Sequence, residues 1–127
     1  MQVRRRVLDR ITIAEAYAIN DPLIVHRGVD PGLPETSAAP GSIIAIDEEN
    51  VVIETVKQAE DGNGIIVRMY ESLRSRGEIT LRTGFALKAA SITNLLEEGE
   101  EMLALDGNAV SLPIAPYKIV TVRLVPA

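Results

Sequence analysis

Three acidic groups, Asp47-Glu48-Glu49, Glu60-Asp61 and Glu97-Glu98, are the residues of this chain whose types admit glycosidase chemistry. Retaining glycosidases hold two carboxylates roughly 5 Å apart. Consecutive acids on a strand point to opposite faces, so such a pair has to form between different turns. Acids adjacent in turns read first as solvated loop tips. His26 is the sole histidine and cysteine is absent, so no two-histidine or cysteine-histidine zinc site can form and His26 reads as a neutral side chain at a strand end. Gly62-Asn63-Gly64 lacks the Lys-Ser/Thr and the following helix of a phosphate loop, and reads as a hairpin turn. A sugar platform needs exposed aromatic faces, and Tyr17, Tyr70, Tyr117 and Phe85 are the whole supply. Tyr70 is the best placed of them, with Tyr17 and Phe85 expected in the core or under a linker. The residues by themselves name no catalytic and no metal site.

One charged set stands out because a hairpin must bring it together: Lys57, Glu60, Asp61, Arg68 and Glu71, with Tyr70 beside them. If the loop spans about 58 to 62, Ile53 lies opposite Val67 and Val52 opposite Arg68, which leaves Glu54 within diagonal reach of Arg68. Glu54 or Glu71 is then the expected partner of Arg68. The set either fixes turn and register or docks the sheet edge on a neighbouring domain.

The elements that position these residues follow from periodicity and turn chemistry. Thr12-Ile13-Ala14-Glu15 has capping-box spacing, which predicts a short helix carrying Ile13, Ala16 and Tyr17 on one face. Asn20-Asp21-Pro22 ends it, and Leu23 to His26 reads as a short strand. Three prolines and three glycines between Gly28 and Ser42 mark an irregular linker. Residues 1–41 thus form an N-terminal segment and residues 42–127 a β-sandwich domain. Within the latter, β-branched runs at 42–46, 51–57, 64–71, 77–83, 86–92, 101–105, 109–114 and 117–125 recur between turn residues, the pattern of an antiparallel sandwich of about eight strands. Alternation sets Ile65, Val67 and Met69 against Ile66, Arg68 and Tyr70; Ile79 and Leu81 against Thr80 and Arg82; and Val120, Val122 and Leu124 against Thr121 and Arg123. Asp106-Gly107-Asn108 is a hairpin turn.

Composition narrows the function classes. A chain of 127 residues buries enough surface for one independent core. Hydrophobic residues make up 46% but aromatics only 3%, so that core is aliphatic. The net charge of −5 argues against nucleic acid as a partner, and Arg4-Arg5-Arg6 is too short to reverse it. No run approaches the apolar length of a membrane span and no signal-peptide stretch is seen, which with the absence of cysteine predicts a cytoplasmic protein that engages no membrane.

Several stretches together resemble the C-terminal β-domain of glycoside hydrolase family 38 α-mannosidases. They are the Lys57-x-Ala59-Glu60-Asp61 turn followed by Ile66-x-Arg68-x-Tyr70-Glu71, the Asn20-x-Pro22-Leu23 step after a helix, the run Asn50 to Lys57, Asn94-Leu95-Leu96-Glu97, and the closing strand Pro116 to Leu124 with its Ile119-x-Thr121. The resemblance implies hydrolysis of terminal α-mannosyl residues by an intact enzyme, with this segment as a structural domain and no catalytic residue in it. It also implies that zinc, held by His and Asp ligands, and an Asp nucleophile belong to a catalytic domain upstream of this segment, so no cofactor is expected here. The implied partners are the other domains of the parent enzyme. Apolar surface left by their absence, expected over Val7 to Val25, predicts self-association, most simply a two-fold dimer. The rival readings are an autonomous carbohydrate-binding module and an interaction domain that works by sheet addition.

Overall fold

A computed structural model describes residues 10–22, 42–99 and 101–127. The chain divides into two units, Met1–Gly41 and Ser42–Ala127. In the first, α1 (Arg10–Asn20) starts upstream of the expected cap. Thr12 lies inside the helix, whereas a cap residue stands outside the helical turn. The C-terminal end is where Pro22 dictates. Asp21 N–H donates to the Tyr17 carbonyl at 2.8 Å and the Asn20 amide donates to the Ala16 carbonyl at 2.7 Å. Of the expected apolar face, Ile13 is half-buried while Ala16 and Tyr17 are exposed. The strand expected at Leu23 to His26, and His26 with it, lies outside the described residues.

The second unit holds nine strands among the described residues: β1 (Ile44–Ile46), β2 (Val51–Gln58), β3 (Ile65–Glu71), β4 (Gly77–Thr83), β5 (Leu87–Thr93), β6 (Glu101–Met102), β7 (Leu105–Asp106), β8 (Ala109–Ile114) and β9 (Ile119–Pro126). They form a four-stranded sheet, β1-β4-β8-β7, and a five-stranded sheet, β2-β3-β9-β5-β6. Every pairing is antiparallel. The count exceeds eight because the run expected at 101–105 divides. β6 pairs with β5 and β7 with β8, while Leu103 N–H donates to the Ala90 carbonyl at 2.9 Å as the chain turns the corner between sheets.

The core is aliphatic, as the composition requires. Val67, Met69, Ala90, Val120, Val122 and Leu124 from the five-stranded sheet meet Ile79, Leu81, Val110, Leu112 and Ile114 from the other. Phe85 is half-buried and outside this cluster. The expected alternation holds in β3, β4 and β9. The β7–β8 hairpin turns at Gly107, whose positive φ of 60° at the first central position is the pattern of a type II′ turn.

The β2–β3 hairpin departs from expectation. Ile53 faces Met69 and Val52 faces Tyr70, whereas beyond Glu54 Thr55 faces Arg68 and Val56 faces Val67, so the register shifts at Glu54. The loop is Ala59 to Gly64, longer than expected. An Asx turn, with Asn63 N–H donating to Asp61 Oδ1 at 2.9 Å, and positive φ at Gly62 and Gly64 accommodate the extra residue.

Candidate functional site on the outer face of the five-stranded sheet

Register partners in antiparallel strands share a face. Lys57, Ile66, Arg123 and Ser91 therefore form one row across the outer face, and Thr55, Arg68, Thr121 and Thr93 the next. An outward residue on a two-layer sandwich ordinarily meets water. Here Thr121 and Arg123 are buried, Arg123 to 4% exposure, because the loops 59–64 and 94–98 fold over them.

Arg123 is the centre of this cover. Its Nη1 donates to both carboxylate oxygens of Asp61 at 2.8 Å and to the Asn63 carbonyl at 3.0 Å. Its Nη2 donates to the Glu97 carbonyl at 3.0 Å. One guanidinium thus ties the hairpin loop to the 94–98 loop. The fork geometry of arginine makes this possible, since several N–H groups diverge in one plane.

Glu97 completes the tie from the other side. It adopts φ 64°, and its side chain accepts from Lys57 Nζ at 2.8 Å and from Glu60 N–H at 2.8 Å. Lys57 also pairs with Glu60. The 94–98 turn is closed by Asn94, whose Oδ1 accepts from Leu96 N–H at 2.8 Å and Glu98 N–H at 2.9 Å. The Lys57 ammonium, then the Glu60 N–H, hold the Glu97 carboxyl below its usual range. Arg123, then the Asn63 N–H, do the same for Asp61. Glu60, and then Glu97, raise Lys57.

Glu60 and Glu97, acids of different turns, are thus two carboxylates on one lysine, whose part in bringing them together the sequence reading did not assign. A glycosidase acid needs a carboxyl shifted upward so that it holds its proton. Glu97 is shifted the opposite way by its pairing with Lys57. Asp47 pairs with Arg82 at 2.9 Å, and Glu48 accepts from Thr80 N–H at 3.3 Å. Among the described residues no group of three His, Cys, Asp or Glu is placed to hold a metal ion.

The hairpin set therefore separates into three places. Lys57, Glu60 and Asp61 join the Arg123 tie. Arg68 does not pair with Glu54 or Glu71; its Nε donates to Thr121 Oγ1 at 3.5 Å and its Nη2 to the Leu95 carbonyl at 3.3 Å. The register shift at Glu54 removes the expected diagonal. Tyr70 is half-buried in a third outer row between Val52 and Ile119.

Glu71 lies on the opposite, core-facing side of β3, 1% exposed. Its carboxylate accepts from the N–H groups of Leu73, Arg74, Ser75 and Tyr117 at 2.8 to 3.0 Å and from the Asn50 amide at 3.2 Å. Burial pushes this carboxyl up, but the N–H groups of Tyr117, Ser75 and Leu73 and the Asn50 amide outweigh it and bring it to about 2. Arg74 and Tyr117 both take positive φ around it, and the Arg74 guanidinium lies 5.8 Å from the Tyr117 ring centre. The sequence reading missed Arg123 as an organiser. The signal available was a lone cation at an outward position of a closing strand whose other residues are uncharged.

The charges of this sandwich tie loops down and set strand ends. Residues 50–122 match the family described as "Glycosyl hydrolases family 38 C-terminal beta sandwich domain", and the chain belongs to that family. It is 30% identical over 125 residues to alpha-mannosidase 2C1 of Homo sapiens, covering 92% of this chain and 11% of that protein. The Mus musculus alpha-mannosidase 2C1 is 30% identical over 118 residues, with 89% and 11% covered. Alpha-mannosidase G of Dictyostelium discoideum is 25% identical over 116 residues, again with 89% and 11% covered. The chain thus spans about a ninth of the length of these relatives and matches the C-terminal domain of family 38 α-mannosidases. No helix among the described residues is long and apolar enough to cross a membrane.

Proposed function

We propose that this chain serves as the non-catalytic C-terminal domain of an α-mannosidase that hydrolyses terminal α-mannosyl residues in the cytoplasm. The carrying observation is the Arg123 tie. The family-like Lys57, Glu60, Asp61 and Glu97 are all engaged in holding two loops on the outer sheet face, which makes them architectural. The other domains of the enzyme are its partners, and zinc and the catalytic carboxylates belong to them. The absence of cysteine suits a reducing compartment. Tyr70 supports a sugar platform poorly, since most of it is covered and its row neighbours are Val52 and Ile119.

The test is a nitrophenyl α-mannoside assay on the purified chain with zinc added. We expect no turnover above buffer, and activity that survives repurification overturns the assignment. Titration with mannose, followed by NMR, is expected to leave the Tyr70 and Tyr117 resonances unmoved. Saturable shifts there would make the domain a carbohydrate-binding module instead.

A further inference from the structure

The loop that Asn94, Lys57 and Arg123 hold so firmly presents its two leucines to water. Leu95 is 62% and Leu96 75% exposed, and Ile119 at the start of β9 is 58% exposed. Leu95 and Ile119 line one hollow of about 310 Å³ with Thr93, Asn94, Lys118 and Thr121. Beside it sits Arg68, bonded to the Leu95 carbonyl. Among the described residues neither Arg68 nor Lys118 has a carboxylate within ion-pair distance, although the chain carries net charge −5.

We propose that this patch, centred on Leu95, Leu96, Ile119 and Arg68, is the surface on which the remainder of the α-mannosidase polypeptide docks. The docking segment places apolar side chains on the hollow and a carboxylate on Arg68. The inference rests on the reading of the chain as an α-mannosidase domain. Two cations with no counter-ion among the described residues, beside an apolar hollow, are complementary to an acidic, apolar-flanked segment. A loop fastened by this many hydrogen bonds cannot withdraw its leucines, so docking on it costs little ordering entropy. An apolar centre with a polar rim is the anatomy of an interface.

The occupant follows from length. The matched relatives carry about eight-ninths of their chain outside this domain, and covalent connection gives that polypeptide an effective concentration that a modest patch can use. The sheet edges offer no substitute. β6 and β7 have two residues each, β1 has three, and β2 is interrupted at Glu54, all devices that discourage strand addition.

The experiment replaces the matched segment of human alpha-mannosidase 2C1 by this whole chain and compares amide exchange in the chimera with exchange in the chain alone. Expected is at least tenfold slower exchange over residues 94–98 and 117–121 in the chimera. Arg68→Glu, or Leu95→Glu with Leu96→Glu, should return those amides to the rates of the free chain, whereas Val56→Glu on β2 should not. The variants are first shown to leave the melting temperature of the free chain within a few degrees. A chimera that is folded and active but unprotected over the patch overturns this proposal and leaves the domain assignment standing. A wild-type chimera that is neither folded nor active counts against the assignment itself. Protection that arises in the free chain as its concentration rises assigns the patch to a second copy and likewise overturns the proposed occupant.

Discussion

Two residues carry local demands that no substitute meets. Gly64 has φ +99°, and a Cβ there would stand 2.4 Å from the Leu124 carbonyl oxygen, which belongs to backbone and cannot step aside. Gly64→Ala should cost about 3 kcal/mol or more. Gly62 also has positive φ but open space around it, so Gly62→Ala should cost only about 1 kcal/mol; urea titration of the pair separates backbone conformation from collision. Glu71 is the second case. A carboxyl lowered from 4.5 to about 2 by folding contributes about 3 kcal/mol at neutral pH, at about 1.4 kcal/mol per unit. The folded value lies below the unfolded one, so this stability is complete above about pH 4.5 and disappears as pH falls toward about 2. Glu71→Gln should therefore be less stable than wild type at pH 7 by about that amount, with the gap closing in urea melts taken at progressively lower pH. A gap that stays constant with pH would show that the charge of Glu71 is not what the surrounding N–H groups require. Neither demand was readable beforehand. The turn glycines were expected, but the approach of β9 to Gly64 and the convergence of residues 73–75 and 117 on Glu71 join parts of the chain far apart in sequence.

Elements in this domain are held by ties across loops as much as by strand pairing. Arg123 fastens the 59–64 and 94–98 loops from a buried position, so Arg123→Met should destabilise by about 1–3 kcal/mol, leaving the Asn63 and Glu97 carbonyls without this donor while the half-exposed Asp61 turns to water. Its cycle with Asp61→Ala should be strongly non-additive. Lys57→Met removes an exposed partner of the same tie and should have a smaller effect that fades further in salt. In contrast, Arg68→Ala and Glu54→Ala should be additive and each within about 0.5 kcal/mol of wild type, because Arg68 donates to Thr121 and the Leu95 carbonyl and forms no ion pair with Glu54. Coupling between them in a denaturant double-mutant cycle would restore the simple hairpin. At this scale alternation was a sound guide to the inward faces of β3, β4 and β9. It could not reveal that the outward face of β9 is also buried, since the cover comes from loops whose path is set by hydrogen bonds and not by apolar periodicity.

At the scale of the molecule, the edges decide what kind of association is open. Short outer strands and the interruption of β2 leave little continuous unpaired backbone, so the two-fold dimer that exposed apolar surface invites should run through faces and not edges. Ile11 and Ile19 of α1 are exposed and are one such surface. Sedimentation equilibrium over a wide concentration range is expected to show self-association that Ile11→Lys with Ile19→Lys weakens and Val56→Lys leaves unchanged. A response to Val56→Lys would return the interaction to the sheet edge.

The aliphatic core, the antiparallel sandwich and the family likeness are local matters. They are written in side-chain type, in a period of two and in turn residues, and each survives without knowing what any strand packs against. Tertiary structure alone decided which charges meet. The six hairpin residues are neighbours in sequence, yet they serve a loop tie, a sheet surface and a buried strand end. Electrostatic partners are chosen by distance through space, and that distance depends on the register shift at Glu54, the sheet switch between Met102 and Leu105, and the central place of β9. None of these three has a periodic signature in the chain, because each is settled by what two sheets require of one another when they close over a common core.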